Sequence, residues 1–171
     1  MAAAALSVAS MAACTDSGKA PQFPPLCPTT GILRDAADLT RFRGAGTDIT
    51  DMVIDGRITG LGGSCALDDK TQLRTKLTIN MDFTRGPAAA GHDIGVTYFI
   101  AVTKGQTILQ KKIFGLTVQF EGNADRVLVR TDEADLVLPV DDKTQGDAYG
   151  VLVGFQLTPP ELQFNRQRGV R

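Results

Sequence analysis

Ser64, His92 and the aspartate pairs at 68–69 and 141–142 are the residue types that could do chemistry, beside three cysteines at 14, 27 and 65. Ser64 lies in Gly62-Gly63-Ser64-Cys65-Ala66, a small-residue setting of the kind a nucleophile elbow requires. That elbow also needs a strand, a strained turn, a following helix and a histidine partner. His92 is the sole histidine and sits in GPAAAGHDIG, a loop, while strand-like sequence flanks Ser64 on both sides. No acid, base and nucleophile converge, so no enzyme is expected. The aspartates recur in DDKTQ, at 68–72 and again at 141–145. A calcium loop sets its ligands at alternate positions around a glycine turn. Each DDKTQ carries a lysine instead, and both read as solvated polar turns, as does Asp132-Glu133-Ala134-Asp135. Zinc requires closely spaced Cys or His pairs, and a dinucleotide site requires Gly-x-Gly-x-x-Gly between strand and helix; the sequence has neither. No metal and no cofactor are expected. Lys111-Lys112 is a small basic spot that could touch lipid head groups, though two lysines on a strand ordinarily protect an edge.

The cysteines locate the protein. MAAAALSVASMAA, residues 1–13, is uncharged, rich in alanine and ends in small residues before Cys14. This is the pattern of an export signal's apolar segment and cleavage site. The basic n-region of such a signal is missing, so a start codon upstream of Met1 is expected. Met11-Ala12-Ala13-Cys14 resembles a bacterial lipobox, with Met where Leu is usual. The resemblance implies cleavage before Cys14 and a lipid on its sulfur. An ordinary signal peptide cut after Ala12, or an uncleaved cytoplasmic start, is the alternative. With Cys14 lipidated, Cys27 and Cys65 remain as one pair in an oxidising compartment. They form a disulfide on this reading, from Cys27 at the end of the tether to Cys65 at a Gly-rich turn, or else stay as two buried thiols, since spacing alone does not prove a bridge.

The elements that must position these residues follow from periodicity. TDSGKAPQFPPLCP, closing the 14–28 segment, reads as a lipid-anchored, proline-rich tether. Residues 29–47 form a lead-in with a short helix at Asp35–Phe42, which sets Ala36 and Leu39 on one face. From residue 48 the period becomes two. Leu73, Leu77, Ile79, Met81 and Phe83 alternate with polar residues, as a half-buried strand requires. VTYFIAVT, 96–103, is apolar almost throughout and reads as a central strand. ILQKKIFGLTVQF is long enough for two strands, or one bent strand broken near Gly115. Val127 and Val129, then Leu136, Leu138 and Val140, alternate again, and YGVLVGFQL is the last strand. About seven strands at roughly 8–12-residue spacing over 48–157 predict an all-β fold. Its expected form is an antiparallel sandwich, immunoglobulin-like or fibronectin-III-like in outline. Thr158 with Glu161 makes a capping box around Pro159. A helix and basic tail over 158–171 follow, with Leu162 and Phe164 available to dock and Arg166, Arg168 and Arg171 solvated.

The 171 residues carry a formal net charge of −1 with signs interspersed, which argues against nucleic acid as a partner. No apolar run reaches the roughly 18–20 residues of a spanning helix. The lipobox-like start, CPTTGILRDAADLTRFRGAG, GGSC, TRGPAAAG, YFIAVT and VGFQLTPPELQFNRQR together resemble a group of small alphaproteobacterial lipoproteins. The resemblance implies a place in the bacterial cell envelope, anchored in the inner or outer membrane and facing the periplasm. It implies no activity. The expected role is structural: an accessory or assembly subunit that meets the membrane through its lipid and an envelope protein through its sandwich. The alternative is a periplasmic small-ligand or chaperone-like binder.

Overall fold

The computed structural model describes residues 26–169. Cys14, the signal segment, most of the tether and Arg171 lie outside the described residues. Nine strands and one α-helix follow in order: β1 Thr29–Ile32, β2 Asp38–Phe42, β3 Met52–Asp69, β4 Gln72–Arg85, β5 Asp93–Lys104, β6 Thr107–Gln119, β7 Arg126–Arg130, β8 Ala134–Pro139, β9 Tyr149–Phe155 and α1 Pro159–Arg168.

Two sheets pack face to face. The first has strand order β1-β9-β5-β6. The second runs β2-β3-β4, with both β7 and β8 on the far side of β4. Alternation sets the core, because side chains two apart share a face. Leu73, Leu77, Ile79, Met81 and Phe83 of β4 are all buried, as their spacing predicts. They meet Val96, Tyr98 and Ile100 of β5 and Val151, Val153 and Phe155 of β9. Phe83 and Phe155 meet edge to face at 5.9 Å, across the two sheets. Gly56 of β3 lies against Phe83, so a side chain there would collide with the ring.

The all-β sandwich with a short C-terminal helix is therefore as the periodicity predicts, and several details differ. Residues 35–42 do not form a helix. Only Arg34–Ala36 makes a 3-10 turn, and Asp38–Phe42 joins β3 as an antiparallel strand. A helix of that length is marginal without tertiary support. The ladder instead gives Leu39 a place opposite Gly56 and sets Asp38 and Thr40 opposite Arg57 and Asp55. The sandwich accordingly begins at Thr29 rather than at residue 48. β1 pairs with β9 in parallel, so one edge of an otherwise antiparallel fold is mixed. β6 runs unbroken through Gly115, and its bulge lies at Leu109, the extra residue between Gln110 opposite Val102 and Ile108 opposite Thr103. Gly62–Cys65 is not a turn but part of β3; the turn falls at Lys70-Thr71. Successive strands β2, β3 and β4 stay in one sheet, where the immunoglobulin order sends the third strand across.

Cys27 and Cys65 are joined, with their Cα atoms 5.8 Å apart. Cys27 stands just before β1 in the first sheet and Cys65 lies on β3 in the second, so the bridge ties one sheet to the other. Just upstream, the Leu26 carbonyl passes so close to Gly146 that no side chain fits there. The bridge closes a loop of sequence separation 38. Replacing both cysteines by serine is expected to lower the unfolding free energy by about 3–4 kcal/mol on the chain-entropy account. Urea denaturation checks this, and a loss below about 1 kcal/mol would contradict it.

Candidate functional site

The C-terminal helix is held by polar groups. Thr158 caps it: its hydroxyl accepts from the Glu161 amide, and the Glu161 carboxylate accepts from the Thr158 amide at 2.7 Å. Pro159 occupies the first helical position, where no amide hydrogen is needed. The residues turned to the sandwich are Glu161, Asn165 and Arg168, at helical spacing of four and three. Glu161 and Asn165 are buried, while Leu162 and Phe164 are only half-buried.

Each of the three finds a partner. Glu161 Oε1 accepts from Arg41 Nε at 3.0 Å, and the same guanidinium donates to the Gly95 carbonyl at 2.9 Å. The Asn165 amide donates to the carbonyls of Asp35 and Asp38 at 3.0 and 2.7 Å. Arg168 donates to Thr40 Oγ1 at 2.9 Å and lies 3.5 Å from Asp38 and 3.6 Å from Asp55. Arg57 pairs with Asp38 at 3.2 Å, and Thr40 donates to Asp55 at 2.7 Å. Three carboxylates and three guanidiniums thus interlock along β2, the outer strand of its sheet. Phe164 packs edge to face on Phe42 at 5.0 Å, under the Arg168 guanidinium. Arg168, expected to be solvated, is three-quarters covered because two buried or half-buried aspartates attract it. Arg166 is exposed as expected and pairs with Asp35 on the surface. Between α1 and the chain after β2 lies a groove of about 500 Å³ walled by Arg41, Phe42, Glu161 and Phe164.

The opposite flank of the sandwich is open. β6 pairs with β5 on one side only, and Ile108, Leu109 and Ile113 are 62%, 53% and 54% exposed. Its lysines lie over rings: Lys111 Nζ is 4.3 Å from the centre of Phe99 and Lys112 Nζ 5.1 Å from that of Phe114. Across from β6, the outer strand on β4 is interrupted between β7 and β8. Thr131 bridges that break: its amide donates to the Ile79 carbonyl at 3.0 Å and its hydroxyl accepts from the Ile79 amide at 3.1 Å. Between β6 and β8 runs a cleft of about 470 Å³. Ile100, Val102, Phe114 and Leu136 form its apolar floor, with Lys112 on one rim and Glu133 and Asp135 on the other.

The residues singled out for catalysis are not brought together. Ser64 is exposed on β3 opposite Lys76, next to the cysteine that packs near Val102 towards the end of β5. His92 immediately precedes the start of β5, so the two stand at opposite ends of the sandwich. His92 is exposed, with Nδ1 2.9 Å from the Phe120 carbonyl, while its own carbonyl accepts the Phe120 amide. It closes the ladder between β5 and β6. Both DDKTQ segments are local turns. Asp69 accepts from the amide and hydroxyl of Thr71, and Asp141 from the amides of Lys143 and Thr144. These amide donors hold both carboxyls below their ordinary range. Among the described residues, no group of three Cys, His, Asp or Glu side chains is placed to hold a metal.

The periodicity of apolar residues does not reveal the clasp beneath α1. Its signal is a polar stripe, Glu161-x-x-x-Asn165-x-x-Arg168, with Asp38 and Thr40 at alternate positions of β2, and Asp55 opposite Thr40 on β3, to receive it. Comparison with protein families, with curated proteins and with solved structures gives no match.

Asn165→Leu removes the donor to two carbonyls in a covered site. It is expected to cost about 2–3 kcal/mol, the penalty of leaving buried acceptors unmet. Arg166→Ala breaks only a surface pair and is expected to leave the melting curve within error of wild type. Thermal melts of the two variants check the contrast, and equal losses would contradict it.

Proposed function

We propose that the chain is a membrane-anchored envelope lipoprotein whose sandwich serves as an accessory or assembly subunit, binding another protein. The observation that carries the reading is the Cys27–Cys65 bridge, which fixes the chain to both sheets close to where the tether enters. Cys14 stands thirteen positions before Cys27, and that stretch spans at most about 45 Å when fully extended. A lipid on Cys14 would therefore hold the domain close to one membrane surface. The bridge is compatible with an oxidising compartment, where such bonds persist. A lipid modification with more than one acyl chain suffices for stable anchoring.

The interaction role is supported by the open flank. An exposed edge strand offers main-chain donors and acceptors to another chain, and the apolar cleft beside it can take alternate side chains. The same 470 Å³ cleft is the observation that favours the second reading, a small-ligand or chaperone-like binder. Capture from detergent-solubilised membranes separates the two. A stoichiometric protein partner supports the subunit, and a lone chain carrying an apolar ligand supports the binder.

Cys14→Ser is expected to shift the protein from the membrane fraction to the soluble fraction, or to leave it unprocessed. Fractionation after a salt wash, with intact-mass measurement of the wild type, checks this. A variant that stays in membranes at the wild-type level, beside a wild type with no lipid mass, would overturn the anchor.

A further inference from the structure

The two outward faces of the sandwich are unlike. Side chains two apart along a strand share a face, and so do cross-strand partners. Ile100, Val102, Val151 and Val153 point into the core, so their neighbours along β5 and β9 point away from it. The register then gives the outward rows of the first sheet. Thr29, Gly150, Thr103 and Ile108 lie in line across β1, β9, β5 and β6. Gly31, Leu152, Ala101 and Lys111 form the next row, and beyond it Phe99 stands opposite Ile113. Among these residues there is no acid, and the single charge is Lys111. The second sheet turns charges outward instead: Arg74, Lys76 and Asp82 of β4, with Asp135 of β8 opposite Lys76. A sheet face exposed to water is ordinarily polar. Here Ile108 and Ile113 are 62% and 54% exposed, and Leu109, left out of the ladder by the bulge, is 53% exposed. Lys111 lies among them with its Nζ 4.3 Å from the centre of the Phe99 ring. From Ile94 to Phe120 the chain holds three lysines and no acid.

We propose that this outward face of the first sheet lies against an anionic phospholipid surface. Ile108, Leu109 and Ile113 enter the boundary between head groups and acyl chains, and Lys111 meets lipid phosphates. This inference rests on the anchored reading above and names the side turned to the membrane. Position selects a lipid surface. The tether enters at Cys27, just before Thr29, which begins the first outward row. Three strand spacings of about 4.8 Å put Ile108 within about 15 Å of Thr29 along that row. An anchor at Cys14 therefore arrives at the same sheet that carries the exposed aliphatic residues. Composition selects the same occupant. Protein-binding hot spots are rich in Trp, Tyr and Arg, and these rows contain none of the three. Exposed aliphatic side chains around a lysine, with no acid to repel phosphate, suit the bilayer interface. The arrangement leaves the charged face of the second sheet in water. It also leaves the cleft between β6 and β8 at the side, open to another protein on the same membrane.

Quenching by a head-group spin label tests the face, with the full chain in vesicles of phosphatidylcholine and phosphatidylglycerol. A fluorophore is attached to Ile108→Cys, to Ile113→Cys and, on the second sheet, to Leu128→Cys, where the leucine is 74% exposed. The first two are expected to lose their emission and the third to keep it. Lys111→Glu, shown to be folded by its melting curve, is expected to restore the emission at 108. Flotation with the vesicles and intact mass read the anchor separately. Chains that float with a lipid mass but are quenched at neither 108 nor 113, or equally at 128, overturn the face and leave the anchor standing. Quenching at 108 that Lys111→Glu does not change overturns the face as well. Chains that float without a lipid mass and are quenched at 108 and 113 alone uphold the face and overturn the anchor. Chains that do not float overturn both.

Discussion

A two-sheet sandwich has four outer strands, and each must do something with a row of unpaired amides and carbonyls. That constraint organises this chain more than any single core contact. β1 is only four residues long and lies next to the disulfide. β2 is covered by α1, whose Asn165 donates to the Asp38 carbonyl at the strand's edge. The outer strand on β4 is broken in two, and Thr131 supplies the missing bonds at the break. β6 runs long with no strand beside it on its far side among the described residues. Three edges are closed by three different devices, and the fourth carries a bulge at Leu109 and the lysine pair 111–112.

The closure at β2 is polar by necessity. A helix laid on a strand edge meets carbonyls and amides, so an apolar stripe would strand them. Glu161, Asn165 and Arg168 instead bring donors and acceptors that match Arg41, the Asp35 and Asp38 carbonyls, Thr40 and Asp55. Half-buried ion pairs add little net stability once desolvation is counted. What they supply here is position: three acids and three arginines interlock in one arrangement, and α1 sits in one place. The same helix lets the Arg41 guanidinium reach the Gly95 carbonyl on β5, beyond the end of β9. The two sheets are therefore joined at this end by hydrogen bonds and at the other by the disulfide.

How much of this was legible in the sequence depends on whether the signal was local. Leu73 to Phe83 alternate because one face of β4 is buried and the other is wet, and that pattern survives any topology. The capping box at Thr158 and Glu161 is equally local. Asp35–Phe42 misled because Ala36 and Leu39 also suit a helix, and the deciding partners, Asp55, Gly56 and Arg57, lie some fifteen residues or more away. Gly62-Gly63-Ser64-Cys65 suggested a turn by composition. In the fold its glycines lie in a long hairpin opposite Thr78 and Leu77, where Gly63 has the Lys76 carbonyl so close that no side chain fits. The clasp was missed because a polar stripe on a helix looks like a solvated face until acids are known to lie under it. The pairing of Cys27 with Cys65 followed from counting, since it needed only that Cys14 be spoken for.

The central claim is that the outer strands are closed by devices within the chain, and the polar clasp of α1 on β2 is its sharpest case. Amide hydrogen exchange of the full chain, read residue by residue in the wild type and in Asn165→Leu, tests it most directly. The account predicts that the α1 amides are protected in the wild type and exchange faster in the variant, whereas those of β4 keep their protection. Equal protection of α1 in the two proteins would contradict it.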